Sequence, residues 1–138
     1  MATKITGGCL CGAVRYECAA EPLMAVNCYC RDCQHATGAA MAPVLLLSKA
    51  AFKVTKGEFK HYEVTAASGN KVSRGFCANC GAPVLSVLSG YPDMVAVKAA
   101  SLDDPAIFKP TMNCWVSSAP PWAPIARELP TYPRDPQL

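Results

Sequence analysis

The chain has no apolar run long enough to cross a bilayer, which takes about 18 residues. Its longest apolar stretch, residues 39–47, is interrupted by Pro43. Residues 1–12 lack the apolar core of a signal peptide, so we expect a cytoplasmic protein with no membrane partner. Charged residues are also few, at 17%, and the net charge of +3 excludes no class of partner.

Internal repeats and low-complexity tracts are absent as well. Hydrophobic residues make up 51% of the 138 residues, which excludes a disordered chain. A chain of this length suits one domain, which can bury roughly two-thirds of its unfolded surface. We therefore expect residues 1–138 to form a single domain.

Helical patterns are rare, and short strands dominate the predicted secondary structure. Apolar alternation and short apolar runs predict strands at residues 13–18, 23–27, 41–47, 59–64, 71–76, 83–88 and 94–99. Turns at residues 66–70 and 89–93 would join neighbouring strands. The expected fold is therefore mainly all-β, with packed antiparallel sheets. The exceptions are a short helix at residues 31–37, ended by Gly38, and one turn capped by Ser101.

The C-terminal tail, residues 105–138, holds 8 of the 12 prolines. Proline removes a hydrogen bond from a sheet, so most of this tail should not be central strand. Large apolar side chains nevertheless favour a tail packed over the sheets instead of a disordered one. They are Phe108, Trp115, Trp122, Ile125, Leu129 and Tyr132.

Seven of the nine cysteines fall in three clusters: Cys9 and Cys11; Cys28, Cys30 and Cys33; Cys77 and Cys80. In a reducing compartment such clusters bind metal more often than they form disulfides. Four thiolates in two close pairs suit a closed tetrahedral zinc site, whereas three leave a coordination position for water or substrate. The spacing favours this division into four and three. Alternatively, Cys9 and Cys11 complete a site with two of the middle three.

The three cysteine motifs, in this order, resemble the glutathione-dependent formaldehyde-activating enzyme family. The matching runs are GCLCGAVRY at 8–16, CYCRDCQHATG at 28–38 and RGFCANCGA at 74–82. Phe108, Pro110, Trp122 and the pair Leu129-Pro130 fit the family's C-terminal pattern. Tyr29 and Asn113 stand where, or near where, the family often has histidine.

The resemblance implies a β-tent-like fold and two zinc ions per chain. It implies a structural zinc held by Cys9, Cys11, Cys77 and Cys80, and a catalytic zinc held by Cys28, Cys30 and Cys33. The implied activity joins formaldehyde to the thiol of glutathione, or cleaves S-(hydroxymethyl)glutathione as a carbon–sulfur lyase. The expected partners are therefore a small-molecule thiol and a small aldehyde.

Two other functions are compatible with zinc and cysteine. A zinc-stabilised binding module without turnover would contact protein or nucleic acid, and it needs no exchangeable coordination position. A thiol redox protein using Cys77 and Cys80 is less favoured, because a bound metal would lock those thiolates.

Several single features have plain structural interpretations. Residues 49–74 carry six basic and two acidic groups between aromatics, and we interpret them as a solvated sheet face instead of a nucleic-acid surface. Alternatively, some of these basic groups, which include Lys71 and Arg74, attract the carboxylates of a glutathione-like substrate. His35 and His61 are expected at the surface. Cys18 is expected to be a buried free cysteine, and Cys114 to pack in the tail instead of acting as an accessory thiol.

Overall fold

The structure is a computed structural model that describes residues 4–136. Its ten strands are β1 (Ile5–Gly8), β2 (Arg15–Cys18), β3 (Met24–Cys28), β4 (Ala42–Ser48), β5 (Phe52–Lys56), β6 (Phe59–Thr65), β7 (Lys71–Cys77), β8 (Pro83–Leu88), β9 (Met94–Lys98) and β10 (Met112–Cys114). Within these residues there is one α-helix, α1 (Arg31–Thr37), and four single 3-10 turns, at Lys49–Ala51, Ala99–Ser101, Pro105–Ile107 and Val116–Ser118. In this part of the chain, no helix is long and apolar enough to span a membrane.

The strands form two sheets, which confirms the expectation of a mainly β fold. The small sheet has the order β1-β2-β5 and is antiparallel. The large sheet has the order β10-β3-β4-β9-β8-β7-β6. All its pairs are antiparallel except β10 with β3, which run parallel. The predicted turns join β6 to β7 and β8 to β9.

The hydrophobic core lies where the small sheet packs on one face of the large sheet. Ile5, Tyr16 and Cys18 contribute from the small sheet, and the Tyr16 ring stacks on Phe52 with centroids 5.4 Å apart. The large sheet contributes buried side chains at alternate positions, namely Leu45, Leu47, Leu85, Val95 and Val97. Because side chains alternate across a strand, the residues between them face the opposite side of the large sheet. That second face carries the cavity described below.

The helix prediction is confirmed, and Gly38 ends α1 with a left-handed φ of 71°. Three strands were not predicted: β1, β5 and β10. The predicted cap at Ser101 is wrong. Ser101 ends the turn Ala99–Ser101 and donates its hydroxyl to the Lys98 carbonyl at 2.7 Å. Asp104 caps the following turn instead, accepting the Ala106 amide at 3.1 Å.

The tail folds back on β10, as its apolar content predicts. The Tyr132 amide donates to the Asn113 carbonyl and the Asn113 amide donates to the Pro130 carbonyl, both at 2.9 Å. Phe108 packs against the core. Trp122 does not bury its ring and is 71% exposed, so the packing argument fails for this one residue. Residues 137–138 of the expected tail lie outside the described residues.

Candidate functional site

Four cysteines from distant parts of the chain form one cluster. Cys9 and Cys11 lie in the loop after β1, Cys77 ends β7, and Cys80 lies in the turn that follows. Their sulfur atoms all lie within 4.8 Å of one another. The Sγ atoms of Cys9 and Cys11 are 3.7 Å apart, and those of Cys11 and Cys77 are 3.8 Å apart. Tetrahedral zinc with Zn–S bonds of about 2.3 Å requires sulfur atoms roughly 3.8 Å apart, so the donor set fits that ion.

Backbone amides point at these sulfurs and favour their ionised form. The Val14 amide donates to Cys9 Sγ at 3.3 Å, and the amides of Asn79 and Cys80 donate to Cys77 Sγ at 3.3 and 3.4 Å. Burial raises the pKa of Cys9, but the Val14 amide and the neighbouring thiols outweigh it and lower this pKa to about 6. The amides of Ala82 and Cys11 lower the pKa of Cys80. The amides of Cys80 and Asn79 act in the same direction on Cys77, but burial and the neighbouring thiols outweigh them and raise its pKa. Cys9 and Cys80 are thus the members that most favour the thiolate, the form that binds metal.

A second cluster contains Cys28, Cys30 and Cys33, whose sulfurs also lie within 4.8 Å of one another. Cys28 ends β3, Cys30 is the N-cap of α1, and the Cys33 amide donates to Cys30 Sγ at 3.3 Å. Contact with Cys28 and burial raise the pKa of Cys33 to about 11. Three thiolates crowded together repel one another, and a bound divalent cation would remove that repulsion. The residues therefore fit a three-ligand metal site.

The three-sulfur cluster opens into a cavity of about 530 Å³. The cavity lies on the face of the large sheet that points away from the core. Its wall includes alternate residues of neighbouring strands: Val44 and Leu46 on β4, Ala96 and Lys98 on β9, Ser86 on β8, and Arg74 on β7. A small molecule in this cavity would therefore lie against three thiols and a largely apolar wall.

The sequence matches the family described as glutathione-dependent formaldehyde-activating enzyme over residues 4–118. The chain belongs to this family. It is also similar to the crystal structure of a Rhodobacter sphaeroides protein, at 25% identity and a TM-score of 0.57, over 71% of this chain and 87% of that one. Among curated proteins, none matches this chain.

Cys114 lies beside the three-sulfur cluster of this family member. In the parallel pairing of β10 with β3 it is the register partner of Cys28. Its thiol contacts Cys28 and, as the largest cause, raises the pKa of the Cys28 thiol. Cys114 is 5% exposed and also lines the cavity. The expectation that it simply packs in the tail therefore describes only part of its surroundings.

Tyr29 and Asn113, which stand at or near positions where the resemblance implied histidine, hold the tail in place. The Tyr29 hydroxyl, in a residue 1% exposed, donates to the Pro124 carbonyl at 2.9 Å. The fully buried Asn113 donates its side-chain amide to the Ala126 carbonyl at 2.9 Å, and its side-chain oxygen accepts from Asn27 at 3.1 Å. Both side chains therefore act as structural anchors in this chain.

The remaining sequence expectations concern residues away from the clusters. Cys18 is fully buried in the core, and His35 and His61 are exposed, as expected. In the basic segment, Phe52 and Phe59 pack against the core, while β5 and β6 expose most of their other side chains. This arrangement fits the interpretation of a solvated face for β5 and β6, but Arg74 of the same segment is half-buried and lines the cavity.

Sequence reasoning missed Lys98, and it placed Arg74 among the basic residues expected on a solvated face. Lys98 closes the strand MVAVK and is only 8% exposed. Burial lowers its pKa, Arg74 acts in the same direction, and the thiols of the three-sulfur cluster act against them. The available signal was the alternation of this strand, which sets Lys98 on the face opposite Val95 and Val97.

Proposed function

We propose that the chain is a zinc-dependent enzyme that forms or cleaves the carbon–sulfur bond of a thiol adduct such as S-(hydroxymethyl)glutathione. In this proposal residues 1–138 form one zinc-binding domain that holds two zinc ions. Cys9, Cys11, Cys77 and Cys80 hold a structural ion, and Cys28, Cys30 and Cys33 hold a catalytic one. The thiols must be reduced to bind metal, so the protein would act in a reducing compartment such as the cytoplasm.

The observation that carries this proposal is the three-sulfur cluster at the wall of a cavity. A zinc enzyme needs a coordination position that is open to a cavity where substrate can bind. A zinc-stabilised binding module needs no such open position. The four-sulfur cluster offers a complete ligand set, which is the arrangement of a structural site. Family membership supports glutathione and formaldehyde as the chemistry to assay.

The reaction joins the sulfur of a thiol to the carbon of an aldehyde. The S–C bond forms as the C=O double bond becomes a single bond, and the thiol proton ends on the former carbonyl oxygen. When bound, zinc supplies Lewis acidity and stabilises an ionised sulfur near neutral pH. The chain supplies the three thiolate ligands, and its apolar wall, including Val26, Val44 and Leu46, excludes water from the reacting atoms. The reverse reaction returns the proton and releases aldehyde and thiol.

The decisive experiment measures zinc per chain and turnover in the same samples. Wild type is expected to hold two zinc ions, and Cys30→Ser one, with loss of glutathione–formaldehyde adduct formation. Cys18→Ala is the matched control, because Cys18 is buried and belongs to neither cluster. It should keep both ions and full activity. Cys30→Ser protein with unchanged zinc content and unchanged turnover would refute the assignment.

A further inference from the structure

Four basic residues line the cavity: Arg31 and Lys71 are exposed, whereas Arg74 is half-buried and Lys98 is buried, and neither of these last two has an acidic partner among residues 4–136. The Lys98 ammonium belongs to a residue that is 8% exposed, and neither Lys98 nor Arg74 forms an ion pair within this part of the chain. The Nε atom of Arg74 is buried and has no hydrogen-bond partner. Buried charges and donors are costly unless they are paired, so this arrangement indicates a missing anion.

The acidic side chains of the lining do not fill that role. Asp32 and Asp135 line the cavity, and both are exposed residues. Asp135 accepts a hydrogen bond from the Trp115 indole at 2.7 Å. Both carboxylates are therefore solvated, and neither forms a salt bridge with Lys98 or Arg74.

The register of the large sheet places Lys98 near the thiols and Arg74 further along the same cavity wall. Lys98 pairs with Val44, and Val44 pairs with Val26, which lies two residues before Cys28 on the same face of β3. Arg74 pairs with Ser86, and Ser86 pairs with Ala96. The cations thus share a sheet face with Cys28, and both line the same cavity as the three cluster thiols.

The metal site alone does not explain both charges. A divalent ion on three thiolates carries a net charge of −1, which balances one cation. The second cation remains unbalanced until a further anion enters, either a substrate thiolate at the metal or a carboxylate beside the cations, and a ligand without a thiol distinguishes the two. Beyond these groups the wall is apolar and includes Met24, Leu46, Val72 and Leu88. A ligand that matches this arrangement has a carboxylate near its reactive sulfur, joined to it by a short apolar link.

We propose that Lys98 and Arg74 form an anion subsite that holds a substrate carboxylate beside the three-sulfur cluster, and that the preferred substrates are short mercapto acids or their aldehyde adducts. The identity of the thiol rests on the proposed function, whereas recognition of the carboxylate does not. In glutathione both carboxylates are separated from the sulfur by a peptide bond. In 3-mercaptopropionate only two carbons separate the carboxyl group from the sulfur.

Calorimetric titration of the zinc-loaded protein tests the subsite. The ligands are 3-mercaptopropionate, its neutral amide, and propionate, which has the carboxylate without the thiol. Wild type should bind the acid at least tenfold more tightly than the amide, and propionate should compete with the acid. Lys98→Met and Arg74→Gln should each remove most of this preference. Lys71→Met is the matched control, because Lys71 lines the cavity but is exposed, and it should keep the preference.

Parallel titrations with glutathione and its diethyl ester distinguish the source of the carboxylate. A contrary result would be that wild type prefers glutathione over the ester by a larger factor than it prefers 3-mercaptopropionate over its amide. If that larger preference depends on Lys98, it supports the subsite but refutes short mercapto acids as its ligands. If Lys98→Met does not fold, as judged by circular dichroism and zinc content, Lys98→Arg and Arg74→Gln carry the test. The arginine variant should retain the preference.

The outcomes separate this proposal from the proposed function. Equal affinity of wild type for acid and amide, or a preference that survives both charge-removing variants, overturns the subsite even if glutathione and formaldehyde react. Conversely, propionate could compete with 3-mercaptopropionate in a way that requires Lys98, while the protein shows no carbon–sulfur activity. This outcome supports the subsite and refutes the proposed enzyme.

Discussion

Asn113 offers a sharp test of whether the tail contributes to the stability of the folded chain. Its side chain is fully buried between β3, β10 and the returning tail. It donates to the Ala126 carbonyl at 2.9 Å and to the Thr131 hydroxyl at 3.2 Å, and it accepts from Asn27 at 3.1 Å. Asn113→Ala removes all three hydrogen bonds and leaves buried partners unsatisfied.

The expected loss follows from these contacts. A hydrogen bond contributes about 0.5–1.5 kcal/mol net, and a buried group left without a partner costs more. Three such bonds give a loss of roughly 2–4 kcal/mol in the free energy of unfolding. A folded domain has only about 5–15 kcal/mol in total, so the variant should melt roughly 10 °C below wild type.

Urea unfolding followed by far-ultraviolet circular dichroism measures this loss. The matched control is Trp122→Ala, which deletes a larger side chain from the same tail, but one that is 71% exposed. The control should stay within about 0.5 kcal/mol of wild type. The reasoning is refuted if Asn113→Ala is as stable as wild type, or if the Trp122 variant loses as much as the Asn113 variant.

Three further perturbations test other parts of the structure. Under the proposed zinc assignment, Cys80→Ser should lower the melting temperature in scanning calorimetry by roughly 10 °C or more, because the four-sulfur site joins distant segments. Cys30→Ser should lower it by only a few degrees. The reverse order would contradict the assignment. Hydrogen bonds from Arg15 and Thr6 lower the pKa of Asp103 to about 2, below its unfolded value of about 3.9. The carboxylate therefore stabilises the fold above about pH 4 and loses this effect as the pH falls towards 2. Since Asp103 is exposed, its contribution to the free energy of unfolding should stay below about 1 kcal/mol. In urea unfolding, the free energy of unfolding of Asp103→Asn should approach that of wild type as the pH falls. A difference that persists at pH 2 argues against this contribution. Gly7→Ala would place a Cβ 2.4 Å from the Tyr16 hydroxyl and 2.5 Å from the Ser101 carbonyl oxygen. It should cost about 2 kcal/mol or more, and an unchanged melting temperature would show that the backbone yields there.

Local features of the fold were predictable because their causes lie within a few residues. The helix Arg31–Thr37 carries its own cap at Cys30 and its own end at Gly38. The hairpin turn at residues 66–70 contains glycine beside asparagine. Each cysteine motif is equally local, but spacing left open whether Cys9 and Cys11 join Cys77 and Cys80 or two of the middle three, because that grouping depends on the fold.

Features that depend on pairing between distant strands were not predictable. β1 ends in two glycines, and β10 has only three residues, so both strands exist because β2 and β3 offer hydrogen-bond partners. The approach of Cys114 to Cys28 depends on that same pairing. Lys98 and Arg74 share a wall only because the register of three strands places them on one face. A single sequence does not contain this register in readable form.

The alternation along β4 and β9 has an evolutionary consequence. On these strands Leu45 and Val95 hold the two sheets together, while their immediate neighbours Leu46 and Ala96 face the cavity. Selection for a new ligand can therefore act on one set of positions while selection for folding preserves the other. A single substitution at Leu46 or Ala96 would therefore reshape the ligand cavity and leave the core side chains unchanged.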